Sequence, residues 1–259
     1  MVEQNLNIAA IQTDLVWENP AANLLQLGEK LASIHKPVDV ILLPEMFATG
    51  FTMQPEKYAA KMSGEEVCWM QQWAKEKNAV ICGSLAVEEN GQYYNRLLWV
   101  QPSGEILTYD KRHLFSLSNE QEQYTAGEQR LIVEYKGWKI CPLICYDLRF
   151  PVWSRNTEQY DLLLYVANWP EGRNYAWQSL LIARAIENQC YVAAVNRVGK
   201  DAHDITHSGD TMVVDAVGVV LQHAEYMQAV VYATLDKSEL LKMRSALPFL
   251  KDGDVFEIK

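Results

Sequence analysis

The sequence predicts an α/β protein in which two layers of mixed β-sheet are covered by helices and built as one unit, residues 1–259. Three observations carry this. Short apolar runs rich in β-branched residues recur along the chain. Stretches at helical spacing separate some of these runs, and tight turn signals separate others. No linker, low-complexity tract or repeat of fixed period divides the sequence, and single α/β or sandwich units reach this length.

The runs that read as strands are 6–11, 38–43, 79–87, 97–100, 131–135, 139–145, 162–166, 191–195, 211–214 and 217–221. Helical spacing marks 20–34, 64–77, 175–188 and 237–247. Glu89-Asn90-Gly91 and Pro102-Ser103-Gly104 are turn signals that join neighbouring strands directly, so the sheets are expected to be mixed. The segments 50–56, 116–128 and 168–174 fit neither pattern, and loops of this kind commonly display binding groups.

Composition narrows the function. An apolar fraction of 49% with 22% charged residues is that of an ordinary globular chain, and eight Trp with thirteen Tyr supply bulk for a deep core or pocket. A net charge of −10 without clustered Lys and Arg argues against a nucleic-acid partner. No apolar stretch is long enough to span a bilayer, and the opening residues lack the basic region and cleavage site of a secretory leader. A cytoplasmic protein with no membrane partner is expected. The five cysteines contain no CxxC pair and no ligand-spaced histidines, so neither a disulfide framework nor a metal site is expected.

Three residues could carry chemistry. Cys145 closes an apolar run and is followed by Tyr146-Asp147-Leu148-Arg149-Phe150-Pro151, a strand-to-helix junction where backbone N–H groups would stabilise a thiolate and an oxyanion. It could equally be a small buried hydrophobe, the commoner fate of a lone cysteine. Glu45 sits at the mouth of the buried-looking run Val40-Ile41-Leu42-Leu43-Pro44, an apolar setting in which a carboxyl group can take a proton from a thiol and return it to an amine. A solvated acid at a strand end is the plain alternative. Lys111 follows Ile106-Leu107-Thr108-Tyr109-Asp110; it belongs to a solvated basic patch or, beside a thiol and a carboxylate, lowers the thiol's pKa and holds an oxyanion.

Taken together, Pro44-Glu45-Met46-Phe47, Tyr109-Asp110-Lys111-Arg112-His113-Leu114-Phe115 and Ile144-Cys145-Tyr146-Asp147-Leu148-Arg149-Phe150-Pro151 resemble, in order and separation, the Glu-Lys-Cys motifs of the nitrilase superfamily of carbon–nitrogen hydrolases. The resemblance extends to Ile8-Ala9-Ala10-Ile11-Gln12, to Leu164-Tyr165-Val166-Ala167-Asn168-Trp169-Pro170, to Ala183-Arg184-Ala185-Ile186-Glu187-Asn188 and to Asn196-Arg197-Val198-Gly199, almost the whole chain. It implies a four-layer α-β-β-α sandwich, a homodimer paired through helical faces, and no metal or organic cofactor. It also implies that Cys145 attacks an amide carbonyl, Glu45 shuttles the proton, and Lys111 with the backbone N–H of Tyr146 holds the oxyanion. A second, supporting glutamate is expected in the loop before the nucleophile strand: Glu120 within Glu-x-x-x-Tyr-x-x-Gly, or Glu122 at a tighter spacing.

Within the superfamily, residues 44–51 and 152–156 resemble bacterial omega-amidases, which implies 2-oxoglutaramate or 2-oxosuccinamate as substrate and a 2-oxo dicarboxylate and ammonia as products. A carboxylate-bearing substrate calls for a cationic anchor, for which Arg149, Arg173 and Arg197 are candidates, and Phe51, Tyr124 and Trp169 are candidate pocket walls. An amidase for deaminated glutathione or an N-carbamoyl amine is the alternative of the same chemistry. Outside it stand a thiol hydrolase pairing a cysteine with His113, His203 or His207, and a non-catalytic binding module on the same fold.

Overall fold

Continuous apolar runs form strands buried on both faces, and here they assemble into two facing sheets. The computed structural model describes residues 5–258; Met1-Val2-Glu3-Gln4, the start of the segment considered for a leader, lie outside the described residues. In chain order the strands are β1 (Asn5–Gln12), β2 (Val40–Leu42), β3 (Ala60–Lys61), β4 (Val80–Glu89), β5 (Gln92–Val100), β6 (Ile106–Asp110), β7 (Val133–Tyr135), β8 (Trp138–Ile144), β9 (Leu162–Ala167), β10 (Tyr191–Asn196), β11 (Val198–Lys200), β12 (Thr206–Val214), β13 (Val220–Glu225) and β14 (Ala229–Asp236). The helices are α1 (Pro20–Ala32), α2 (Pro55–Tyr58), α3 (Glu65–Lys77), α4 (Glu120–Gln123), α5 (Asn174–Asn188) and α6 (Lys237–Ala246).

One sheet runs β14-β1-β2-β4-β5-β6 with β3 beside β4, and the other runs β11-β12-β10-β9-β8-β7 with β13 beside β12. Both mix parallel and antiparallel pairs, as the turn signals require: Asn90 and Gly91 take positive φ of 54° and 76° in the hairpin between β4 and β5. The period of two along β1 builds the layers. Leu6, Ile8 and Ala10 pack with Trp138, Ile140 and Leu162 of the opposite sheet, whereas Ala9 and Ile11 face Leu24, Leu27 and Leu31 of α1 and Met70 and Ala74 of α3. Beyond the second sheet, Trp177, Leu181 and Ala185 of α5 and Leu240 of α6 close the fourth layer. No helix among the described residues is long and apolar enough to cross a membrane.

The expected elements stand close to those found, but β3, β6, β11 and β14 were not among the expected strands. The strand expected at 217–221 is β13, shifted toward the carboxyl end because Asp215 to Gly218 form the hairpin turn. β14 was not expected at all, although it pairs with β1 along its entire length. The three unassigned segments contain the start of α2, all of α4 and short 3-10 turns at Ser116–Ser118 and Glu171–Arg173.

The site sits where strand ends converge. Glu45 follows β2, Lys111 follows β6, Cys145 follows β8 and Asn168 follows β9. Carboxyl ends of parallel strands commonly form such a crevice. Gly127 sets one side of it: its N–H donates to the Lys111 carbonyl at 2.9 Å, and a Cβ there would lie 2.1 Å from the Asp110 carbonyl oxygen. Gly127→Ala is therefore expected to lower unfolding stability by about 1–3 kcal/mol, measured by denaturant titration, through forced movement of the 110–111 backbone. An unchanged midpoint would contradict this packing.

Candidate active site

Lys111 lies at the centre of the site, fully buried with Glu45 and Glu120. Its Nζ donates to Glu45 Oε1 at 2.8 Å and to both oxygens of Glu120, at 2.9 and 3.1 Å. Asn95, on β5, donates through Nδ2 to the same two carboxylates at 2.8 and 3.1 Å, and its carbonyl accepts the Lys111 backbone N–H at 3.0 Å. Glu120 Oε2 also accepts the Phe115 N–H at 2.6 Å. Of the two candidates for a second glutamate, Glu120 contacts the lysine and Glu122 is exposed on the outer side of α4.

Burial by itself would strip the proton from Lys111, but the charges of Glu120 and Glu45 outweigh it and hold the ammonium well above its ordinary range. The Glu120 carboxyl is raised, first by burial; Lys111 opposes that rise and Glu45 adds to it.

Cys145 opens a 3-10 turn, Cys145–Arg149, directly after β8, with φ of +40°. A non-glycine residue in that region stores strain, of order 1–3 kcal/mol, and needs surroundings that hold it there. Asp147 provides them. Its carboxylate accepts from the Ile144 N–H at 3.1 Å, the Tyr109 hydroxyl at 2.7 Å and the His113 N–H at 3.0 Å, and it meets His113 Nδ1 at 2.8 Å. One buried carboxylate thus ties the turn bearing the thiol to the segment bearing Lys111.

Lys111 and a nearby N–H group lower the thiol's pKa, as expected, but other contributions outweigh them. Burial raises the Cys145 pKa well above its ordinary value, the charge of Glu45 raises it further, and the thiol is hydrogen-bonded to Glu45; Lys111 and the Asn168 N–H counter only in part. Burial and the Glu45 charge thus favour the thiol form of the nucleophile, with the Glu45 side chain in contact with it. His113 is turned to Asp147 and stacked on Phe150 with centroids 3.7 Å apart, and His207 is pushed down to about 4 by burial and by Arg197. Neither takes the position beside the thiol that a cysteine–histidine pair demands; the group hydrogen-bonded to it is Glu45.

A cavity of about 140 Å³ opens onto Cys145, and Phe51, Tyr146, Arg149, Trp169 and Arg173 line it. Tyr124, expected as a wall, is not part of that lining: its hydroxyl requires a buried acceptor and donates to the Thr52 carbonyl at 2.8 Å, so its ring packs with Met46 and Ala86 instead. Arg197 reaches the cavity but is fully buried and tied to Asp14 at 2.7 Å and to the Leu15 and Lys200 carbonyls. Arg149 and Arg173 have no carboxylate partner among the described residues; they lie over the rings of Trp169 and Phe115, at 4.8 and 5.2 Å. Asn95, Asp147 and Asn168 carried no assigned role in the sequence.

The chain as a whole is similar to known proteins. The carbon-nitrogen hydrolase family model matches residues 7–245. The chain is 46% identical over 255 residues to omega-amidase YafV of Escherichia coli K12, covering 98% of each protein. It is 34% identical over 250 residues to the 2-oxoglutaramate amidase of Bacillus subtilis, covering 95% of this chain and 96% of that one. The crystal structure of XC1258 from Xanthomonas campestris, a CN-hydrolase superfamily protein with an arsenic adduct in its active site, superposes with a TM-score of 0.97 at 42% identity, covering 98% of this chain and 99% of that one. Fold, strand-end acid, lysine and cysteine, and full-length similarity agree, and the chain belongs to the carbon–nitrogen hydrolase family.

Proposed function

We propose that this protein is an omega-amidase that hydrolyses the terminal amide of 2-oxoglutaramate, or of 2-oxosuccinamate, to a 2-oxo dicarboxylate and ammonia. The observation that carries the reading is a buried cysteine side chain in contact with the buried Glu45, on the wall of a cavity that also bears two arginines with no acid partner among the described residues. The similarity to proteins named omega-amidase and 2-oxoglutaramate amidase supports the same substrate.

In this mechanism Glu45 takes the Cys145 proton as sulfur adds to the amide carbon. Lys111 has three N–H bonds; one is directed to Glu45 and one is shared by the oxygens of Glu120, which leaves the third for the oxyanion, together with the backbone N–H of Tyr146. Collapse of the tetrahedral species breaks the carbon–nitrogen bond while Glu45 returns its proton to nitrogen, releasing ammonia and leaving a thioester. Water, deprotonated by Glu45, then adds to the thioester, and the thiol departs with that proton. Glu120 neutralises and orients Lys111 throughout. Arg149 and Arg173 bind the distal carboxylate, whose charge an unpaired guanidinium matches in two directions.

Ammonia release from 2-oxoglutaramate, glutamine, deaminated glutathione and an N-carbamoyl amine is expected to be fastest for 2-oxoglutaramate; no release from it would overturn the substrate assignment. Arg149→Ala and Arg173→Ala are expected to raise KM for 2-oxoglutaramate roughly 10- to 100-fold, the worth of a hydrogen bond to a charged group, with little change in kcat. Unchanged KM in both variants would exclude them as the anchor. Glu45→Gln separates acidity from catalysis. Because the Glu45 charge raises the thiol's pKa and Lys111 lowers it, the variant should form thiolate at lower pH, followed by ultraviolet absorbance, while ammonia release falls about 100- to 10,000-fold for want of a proton carrier. A thiolate transition that stays in place or moves up would contradict the charge balance.

A further inference from the structure

Asn168 is held on two sides. Its backbone N–H donates to Glu45 Oε2 at 2.8 Å and also faces the Cys145 sulfur, and its side-chain Nδ2 donates to the Glu45 main-chain carbonyl. A carbonyl oxygen only accepts, so the orientation of the Asn168 amide is fixed and Oδ1 is its other end. That Oδ1 is buried and meets no donor from any described residue, although Asn168 lines the cavity beside Cys145 and Glu45. Asn95 Oδ1 is also without a donor, but Asn95 is not part of the cavity wall. Buried acceptors in folded proteins are almost always satisfied, and one beside a nucleophile is matched by a donor that arrives with the ligand.

We infer that Asn168 Oδ1 accepts an N–H of the substrate carboxamide and so determines specificity for amides over esters and acids at the scissile bond. The inference rests on the amidase reading above. A primary amide nitrogen carries two hydrogens. With the carbonyl carbon at the Cys145 sulfur and its oxygen toward Lys111, the nitrogen must face Glu45, which protonates it. One N–H then points at that carboxylate and the other is free for Oδ1, on the residue that is itself bonded to the same carboxylate. An ester oxygen or a carboxylate would set lone pairs against lone pairs there. A site built around an N–H rejects the analogue that lacks one, because its own acceptor is left unpaired.

The test compares kcat/KM, which reports acylation, for 2-oxoglutaramate and for the ω-methyl ester of 2-oxoglutarate in the wild-type enzyme, Asn168→Ala and Asn168→Leu. Loss of the Nδ2 bond to the Glu45 carbonyl costs both substrates alike, and the variants are expected to lose a further factor of roughly 10- to 100-fold on the amide alone. The amide-to-ester ratio should therefore fall by about tenfold or more. Leu fills the volume that Ala leaves open, so one variant reports if the other does not fold. Equal losses on both substrates would reduce Asn168 to a support for Glu45 and overturn the inference, as would an unchanged rate on the amide. A wild-type enzyme that cleaves the ester and releases ammonia from no amide would overturn the amidase reading, and this inference with it.

Discussion

The structure depends on one buried cation. Removing the Lys111 ammonium from water costs several kcal/mol, and its attraction to Glu45 and Glu120 offsets that cost only with close geometry. The surrounding features follow from this need. Asn95 bridges the two carboxylates, the Phe115 N–H satisfies a further lone pair of Glu120, and Gly127 lets the loop after α4 approach the backbone at residues 110–111 where any side chain would collide. Two carboxylates for one lysine leave the cluster short of positive charge. Burial first, and then the Glu45 charge, favour the protonated form of the adjacent thiol, and Glu45 is the group placed to move its proton.

The nucleophile is fixed by a second buried carboxylate rather than by its own turn. Cys145 occupies a backbone conformation that L residues avoid, and Asp147 holds it there through the Ile144 N–H while binding Tyr109 and His113 on the Lys111 segment. Tyr109 in turn accepts from Trp153 Nε1 at 3.0 Å. Lysine and cysteine, which come from different sheets, are thereby set relative to one another by hydrogen bonds to a rigid core. Asn168 does the same for Glu45 from the end of β9.

Much of this was legible in the sequence because strand ends are legible. Runs such as Val40-Ile41-Leu42 and Trp138 to Ile144 are largely apolar, so Glu45 and Cys145 at their ends are conspicuous, whereas Lys111 follows a half-exposed run and stands out only together with the other two motifs. Helices α1 and α5 declared themselves by spacing, with Pro20 at the start of the former. What escaped depended on neighbours distant in sequence. β14 is half-exposed and gains its identity from pairing with β1 across the whole chain. The sign of the shift at Cys145 is a sum over burial, Glu45 and Lys111, and residue types do not reveal which outweighs the others. Tyr124 was misplaced because an aromatic ring in a loop can face a pocket or stand behind it, and the Thr52 carbonyl decided the matter. The choice between Glu120 and Glu122 turned on which side of a single helical turn faces the lysine.

The central claim is that the acyl group of the substrate passes through Cys145. It is tested most directly by mass spectrometry of enzyme quenched in acid during turnover of 2-oxoglutaramate. The account predicts an adduct equal in mass to the substrate less ammonia, located on the peptide that contains Cys145 and absent from Cys145→Ala. Ammonia release by Cys145→Ala, or an acyl group carried on any other residue of the active enzyme, would contradict it.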